Sequence, residues 1–203
     1  MKDMLKDAAI LFVITLISGL VLGFVYDLTK EPIAAQEVLK KNEAYQKVFP
    51  EAESFEEQTE AVCAEATALV TGQGYDAAVE KLAAAYNSAG ELLGYVITVT
   101  DHEGYGGDIT FAIGISNDGS CSGVSILSIA ETAGLGMRAE EVLVPQMSGK
   151  DLNAPVGYTK SGNAGENEVD AISGATITTE AFVNGINAGQ IVFTEMLKGK
   201  GES

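Results

Sequence analysis

The sequence predicts an α+β protein in which one N-terminal transmembrane helix precedes a single domain built from an antiparallel sheet with flanking helices. Three observations carry this. Residues Ala8 to Tyr26 form an uncharged, almost wholly apolar run, just long enough for a bilayer crossing at about 20 residues. Tyr95, Ile97 and Val99, and then Ile109, Phe111, Ile113 and Ile115, recur with the period of two that marks strands. Phe182, Ile186, Gly189, Phe193 and Leu197 instead follow steps of three and four, the stripe of an amphipathic helix.

Taken in order, residues 1–7 form a short N-terminal segment and 8–26 the transmembrane helix. A cleaved signal peptide or a buried core helix would also contain an apolar run. However, this one ends at Phe24, Val25, Tyr26 and Asp27 without a small-x-small site, which favours a retained anchor. Lys2 and Lys6 precede it, so the positive-inside rule places the N-terminus in the cytoplasm and the remainder outside, in a single-pass protein of the cell (inner) membrane. Lys30, Lys40 and Lys41 beyond the run oppose that assignment. Residues 27–90 read as a membrane-proximal helical segment. Ile33, Val38, Leu39, Tyr45 and Val48 suit an amphipathic helix that Pro50 ends, and the acidic and Ala-rich stretch to Ala68 is open between helix and loop. Residues 91–203 form the domain core. Its strands lie at 94–100, 108–116 and 124–129, Asn117-Asp118-Gly119 makes the hairpin turn, and a helix from about Thr179 to Leu197 closes it.

Charge and composition narrow the function. The 203 residues carry 29 Asp and Glu against 12 Lys and Arg, a net charge of −17. Because residues 1–26 sum to zero, all of it falls on the exported part. Nucleic acid or an anionic lipid surface would need a basic patch that this composition does not supply. Cys63 and Cys121 make no disulfide framework, and with His102 as the single histidine no Cys/His zinc constellation is available. No metal site is expected. The chemistry falls to hydroxyls, carboxylates, backbone amides or a bound cofactor.

Three glycine-bearing segments remain after the core is assigned. Gly104-Tyr105-Gly106-Gly107 joins two strands and either brings backbone close to a flat ligand or makes a tight connection around a packed tyrosine. Glu131-Thr132-Ala133-Gly134-Leu135-Gly136 is either a ligand loop or an ordinary one. Asp170-Ala171-Ile172-Ser173-Gly174-Ala175-Thr176-Ile177-Thr178-Thr179 leads into the closing helix. A helix N-terminus offers unpaired amides and a favourable dipole to an anion such as phosphate. The alternative is that Ser173 or Thr176 simply caps the helix. No Lys follows the glycine and no GxGxxG is present, so this is neither a Walker loop nor a dinucleotide fingerprint.

SGAT followed by IT, with Asp170 three residues before Ser173, resembles the flavinylation motif of FMN-binding domains. There, a flavin transferase joins FMN to a threonine hydroxyl through a phosphoester. The order of one anchor, GYGG, ET-x-GLG, DAISGATIT and a closing helix is similar to the RnfG family, the G subunits of Rnf ion-translocating ferredoxin:NAD oxidoreductase complexes. More distantly, it resembles the NqrC family of the sodium-translocating NADH:quinone oxidoreductase. The resemblance covers nearly the whole chain, least informatively at 51–90. It implies that 91–203 is the core of an FMN-binding domain and that Thr176 carries FMN covalently, with Thr178 as competitor. It further implies transferase recognition through Asp170 and Ser173. Flavin contacts would come from Ser173, Gly174, Ala175, Ile177, Thr178, Gly104, Tyr105, Gly106, Gly107, Glu131, Thr132, Gly134, Leu135 and Gly136. Ala133 stands where the family pattern has proline. The implied role is an electron-transfer subunit, not catalytic alone, with the other membrane and peripheral subunits of the complex and a flavin transferase as partners. The competing readings are a stand-alone flavinylated extracytoplasmic electron carrier and a non-redox anchored binding domain.

Overall fold

The computed structural model describes residues 2–199, which divide into two compact units between Asn42 and Glu43. Helix α1 runs over Lys2–Val48. The expected anchor and the expected amphipathic helix are thus one element, continuous through Pro32, whose missing N–H costs the ladder one bond. Its apolar stretch is long and apolar enough to cross a membrane, and its large side chains from Ile10 to Tyr26 are exposed.

The second unit is a five-stranded antiparallel sheet in the simple order β1-β2-β3-β4-β5, comprising β1 (Ser54–Glu57), β2 (Ala77–Tyr86), β3 (Leu92–Asp101), β4 (Ile109–Ser116) and β5 (Cys121–Ile129). The three strands expected from alternation are present, the first and third longer than expected and the second one residue shorter. Asn117-Asp118-Gly119 turns between β4 and β5, with Gly119 at φ +90° and the Asp118 carboxylate accepting from the Ser120 amide at 2.8 Å. One expectation is corrected here. Residues 27–90 are not helical throughout, because β1 and β2 belong to the sheet and only α2 (Glu60–Gly72) adds a helix there.

The residues of β2 explain why it reads as a helix in sequence. Its run AAVEKLAAAY is rich in alanine, a helix former with little strand preference. Ala83 and Ala85 are small because they lie on the face that receives the end of α1. There Ala44, Tyr45, Val48 and Phe49 pack against Ala83, Ala85, Val96 and Ala112. Gly114 belongs to the same provision, since a Cβ there would come 2.9 Å from the Val48 carbonyl oxygen. The opposite face carries Ile97, Val99, Phe111, Ile113 and Ile115 into the main core, under α2 and the C-terminal helix.

That helix, α4 (Thr176–Val192), starts three residues earlier than the apolar stripe alone suggests, and continues as a widened turn over Phe193–Leu197. It sits close on the sheet because two of its residues lack side chains. A Cβ at Gly185 would lie 2.6 Å from the Phe111 ring, and one at Gly189 would lie 2.5 Å from Ile113. A short helix α3 (Ala139–Val142), with helical turns at Gly136–Arg138 and Val144–Gln146, and a parallel pair β6 (Gly157–Thr159) and β7 (Glu168–Asp170) connect β5 to α4.

Candidate functional site

The site begins with the way α4 starts. Gly174 takes φ +80°, a left-handed conformation that a side chain would resist, and Ala175 at the N-cap makes no side-chain capping bond. Neither Ser173 nor Thr176 is therefore the cap. Thr179 holds the turn instead, its hydroxyl donating to the Ala175 carbonyl at 3.0 Å and accepting from the Ile172 amide at 3.2 Å. The uncapped first turn leaves helix amides and the positive end of the dipole facing outward.

Beside it lies a cavity of about 520 Å³, lined by Tyr105, Glu131, Thr132, Leu135, Gly136, Gly174, Ala175, Thr176, Ile177 and Thr178. All three glycine-bearing segments contribute to it, although they are far apart in sequence. Thr176 is half-buried at the first helical position, whereas Thr178 is 1% exposed. Glu131 is 9% exposed, and its Oε1 has no hydrogen-bond partner among the described residues. Leaving such an atom unmade is costly, so it is a ready acceptor for a donor entering the cavity. Gly136 is buried, and a Cβ there would meet Thr178 Oγ1 at 2.6 Å and Glu131 Oε2 at 2.8 Å. Its missing side chain is part of the cavity's depth.

Other expected site residues frame the cavity without lining it. A Cβ at Gly106 would meet the Ala130 carbonyl, and one at Gly104 would stand 3.1 Å from Glu131 Oε1. These two glycines thus let one loop approach the other loop. Gly107 takes φ +126° to turn the chain, whereas its neighbour Tyr105, which does line the cavity, is 71% exposed rather than packed. Ser173 is exposed. Asp170 ends β7, where the Gln146 side chain holds both its backbone groups, accepting from its amide at 2.7 Å and donating to its carbonyl at 3.1 Å. Gln146 fixes the approach to α4, and nothing in the sequence singles it out.

Gly134 and Ala133 belong to the backbone of the middle segment. The Leu135 amide donates to the Thr132 carbonyl at 3.1 Å, Gly134 has φ +78°, and among the described residues no non-glycine has positive φ. This is a type II turn with Ala133 at its second position, the place that favours proline. The departure at Ala133 thus keeps the turn and loses only its preset φ. The Ala133 amide donates no hydrogen bond among the described residues. Ala133→Pro is expected to stabilise the protein by about 0.4–1 kcal/mol by restricting the unfolded chain, measured by denaturant unfolding.

The FMN-binding domain family matches residues 104–189, and the RnfG N-terminal region matches residues 1–48. The chain is similar to the G subunit of the Na(+)-translocating ferredoxin:NAD(+) oxidoreductase complex of Acetobacterium woodii, with 33% identity covering 97% of this chain and 95% of that one. It is also similar to the G subunit of the ion-translocating oxidoreductase complex of Methanosarcina acetivorans, at 28% identity over 92% and 93%. The G subunit of the proton-translocating ferredoxin:NAD(+) oxidoreductase complex of Clostridium ljungdahlii is 26% identical over 96% and 98%. Among solved structures, NqrC of Shewanella oneidensis superposes with a TM-score of 0.47 at 20% identity, over 56% of this chain and 57% of that one.

Proposed function

Because the chain belongs to the RnfG family of ion-translocating oxidoreductase complexes, we propose that it is the membrane-anchored electron-relay flavoprotein of such a complex, carrying FMN on Thr176 through a phosphoester. The observation that carries this reading is the convergence of three separate segments on one cavity at the uncapped start of α4. The residues fit the cofactor at both of its ends. A phosphate on Thr176 would meet the free amides and dipole of the first turn. The Glu131 Oε1 and the hollow left by Gly136 suit a flat, hydrogen-bonding ring system.

When bound, FMN supplies the one-electron chemistry, and the protein supplies position and electrostatics. Thr176 supplies the tether, which removes dissociation where free FMN would be lost. Glu131 places a carboxylate at the cavity wall and disfavours added negative charge there. Tyr105, Leu135 and Ile177 offer apolar surface at the mouth. Transferase recognition belongs to Asp170, Ser173 and the small Gly174-Ala175 centre. Intact mass of the protein expressed with and without a flavin transferase tests the assignment. A gain of one FMN less water, only with the enzyme, is expected; equal masses would remove the covalent reading. Co-purification with integral membrane subunits separates a member of the complex from a stand-alone carrier.

The proposed topology puts the N-terminus in the cytoplasm and residues 43–203 outside. All of the net charge then lies outside, since residues 1–42 contain five acids and five bases. A reporter fused after Ser203 is expected to be active only outside the cytoplasm. Activity of a cytoplasm-dependent reporter at the same position would reverse the orientation.

A further inference from the structure

Asp101, at the end of β3, is fully buried, yet its Oδ2 has no hydrogen-bond partner among the described residues. Its Oδ1 accepts from the Glu103 amide at 2.9 Å. Glu103 in turn reaches helix α4, its Oε2 accepting from Asn184 Nδ2 at 2.8 Å. Immediately beside that bond, α4 passes over Asp101 at Gly185, where a Cβ would lie 3.4 Å from the Asp101 Cβ. The base of the same loop is closed by His102 Nδ1 and Asp108 Oδ1 at 2.9 Å, and the His102 amide donates to the Asp76 carbonyl at 3.0 Å.

We propose that Asp101 is a positioning residue for the cavity, clamping the 102–108 loop to the end of the sheet and, through Glu103 and Asn184, to helix α4, and so fixing where Tyr105 stands. The clamp joins the two elements that contribute Tyr105 and Thr176 to the lining of the cavity. It depends on the neutral carboxyl, because an ionised one in this place would be a buried charge with a single hydrogen bond. The surrounding groups agree. Glu103 and Asp76 add negative charge, His102 and the Glu103 amide oppose them, and among the described residues α4 and β4 present Asn184, Gly185, Ile109 and Phe111 rather than a cation. Burial pushes the Asp101 carboxyl up to about 7, against the hydrogen bond from the Glu103 amide, which favours the ionised form.

The sign of the pH effect follows from these values. With an acid raised from about 4 in the open loop to about 7 in the closed one, the closed loop holds the extra proton. Its advantage is complete below pH ~4 and is lost as pH rises to ~7, after which no further change occurs. His102 acts in a different window. Its hydrogen bond to Asp108 raises its pKa, so its contribution is full below about 6.5 and falls only above that.

The test is amide hydrogen exchange of the flavin-free full chain in detergent, corrected for intrinsic rates, between about pH 5 and about pH 8. Protection of the His102, Glu103 and Gly107 amides is expected to fall about tenfold per pH unit up to about pH 6.5, the window in which Asp101 alone titrates, and above that the loss of the His102 contribution adds to the fall. Asp101→Asn should flatten that slope while the central strands keep their protection. Asn184→Ala should lower loop protection at every pH yet keep the slope, and His102→Gln should leave the slope below pH ~6.5 intact. A flat wild-type profile below pH ~6.5, a slope in that range surviving in Asp101→Asn, or losses spread evenly over the sheet would each overturn the proposal. The readout needs no flavin, so failure of the cofactor assignment and failure of the clamp are separable.

Discussion

Replacing Thr176 by alanine is expected to abolish covalent flavin completely, removing both the added mass and the in-gel flavin fluorescence of protein made in a flavinylating host. On the proposed attachment the effect is all or none, because the phosphoester to this hydroxyl would be the link that survives denaturation. It should come at little structural cost. Thr176 is half-buried, and the helix start is held by Thr179 rather than by its side chain, so stability should change by no more than about 0.5 kcal/mol. Thr178→Ala is the matched control. That residue is 1% exposed, its Oγ1 packed against Gly136, a poor position for a modifying enzyme to reach, and the variant should remain fluorescent. A fluorescent Thr176→Ala beside a dark Thr178→Ala would move the attachment point two residues along the helix.

What the sequence made legible depended on the strength of its periodicities. Strands β3 and β4 were readable because Ile and Val alternate on a face that is fully buried. Strand β2 was not, because its partner surface is the end of α1, and close packing there selects alanine, which carries no strand signal. Helix α4 was readable from Phe182 onward, while its first turn is built from β-branched threonines whose placement depends on a local hydrogen-bond lock. Each of the three glycine segments contributes residues to one cavity. Their individual glycines could not be ranked from sequence, since Gly104 and Gly106 serve loop-to-loop approach, Gly107, Gly134 and Gly174 serve backbone turns, and only Gly136 opens the cavity floor. Gln146, Asp101 and Asn184 belong to no periodic or motif pattern. Their roles arise from contacts between residues distant in sequence.

Gly136→Val is accordingly the substitution with the largest expected effect on the cofactor's surroundings. Gly136 does not occupy the positive-φ region, so valine is not excluded by backbone conformation. Space is what excludes it. Its Cβ alone would lie 2.6–2.8 Å from Thr178 Oγ1, Glu131 Cβ and Glu131 Oε2, atoms on two separate elements, and two further methyl groups would enlarge the clash. Overpacking of this kind costs about 1–3 kcal/mol, which a domain of ordinary stability of about 5–15 kcal/mol withstands. Because Thr176 lies outside the obstructed floor, the FMN mass should be retained while the ring is expelled. Fluorescence, absorption envelope and midpoint potential should all move towards those of free FMN. Gly134→Ala separates this from a general loosening of the loop. It strains the same turn through its φ of +78° but meets no atom within 4 Å, so it should lower stability and leave the flavin spectrum nearly unchanged. An unaltered spectrum and potential in Gly136→Val, with normal circular dichroism, would place the flavin outside this cavity; a spectrum shifted equally by both variants would assign the effect to the turn rather than to the space that Gly136 leaves.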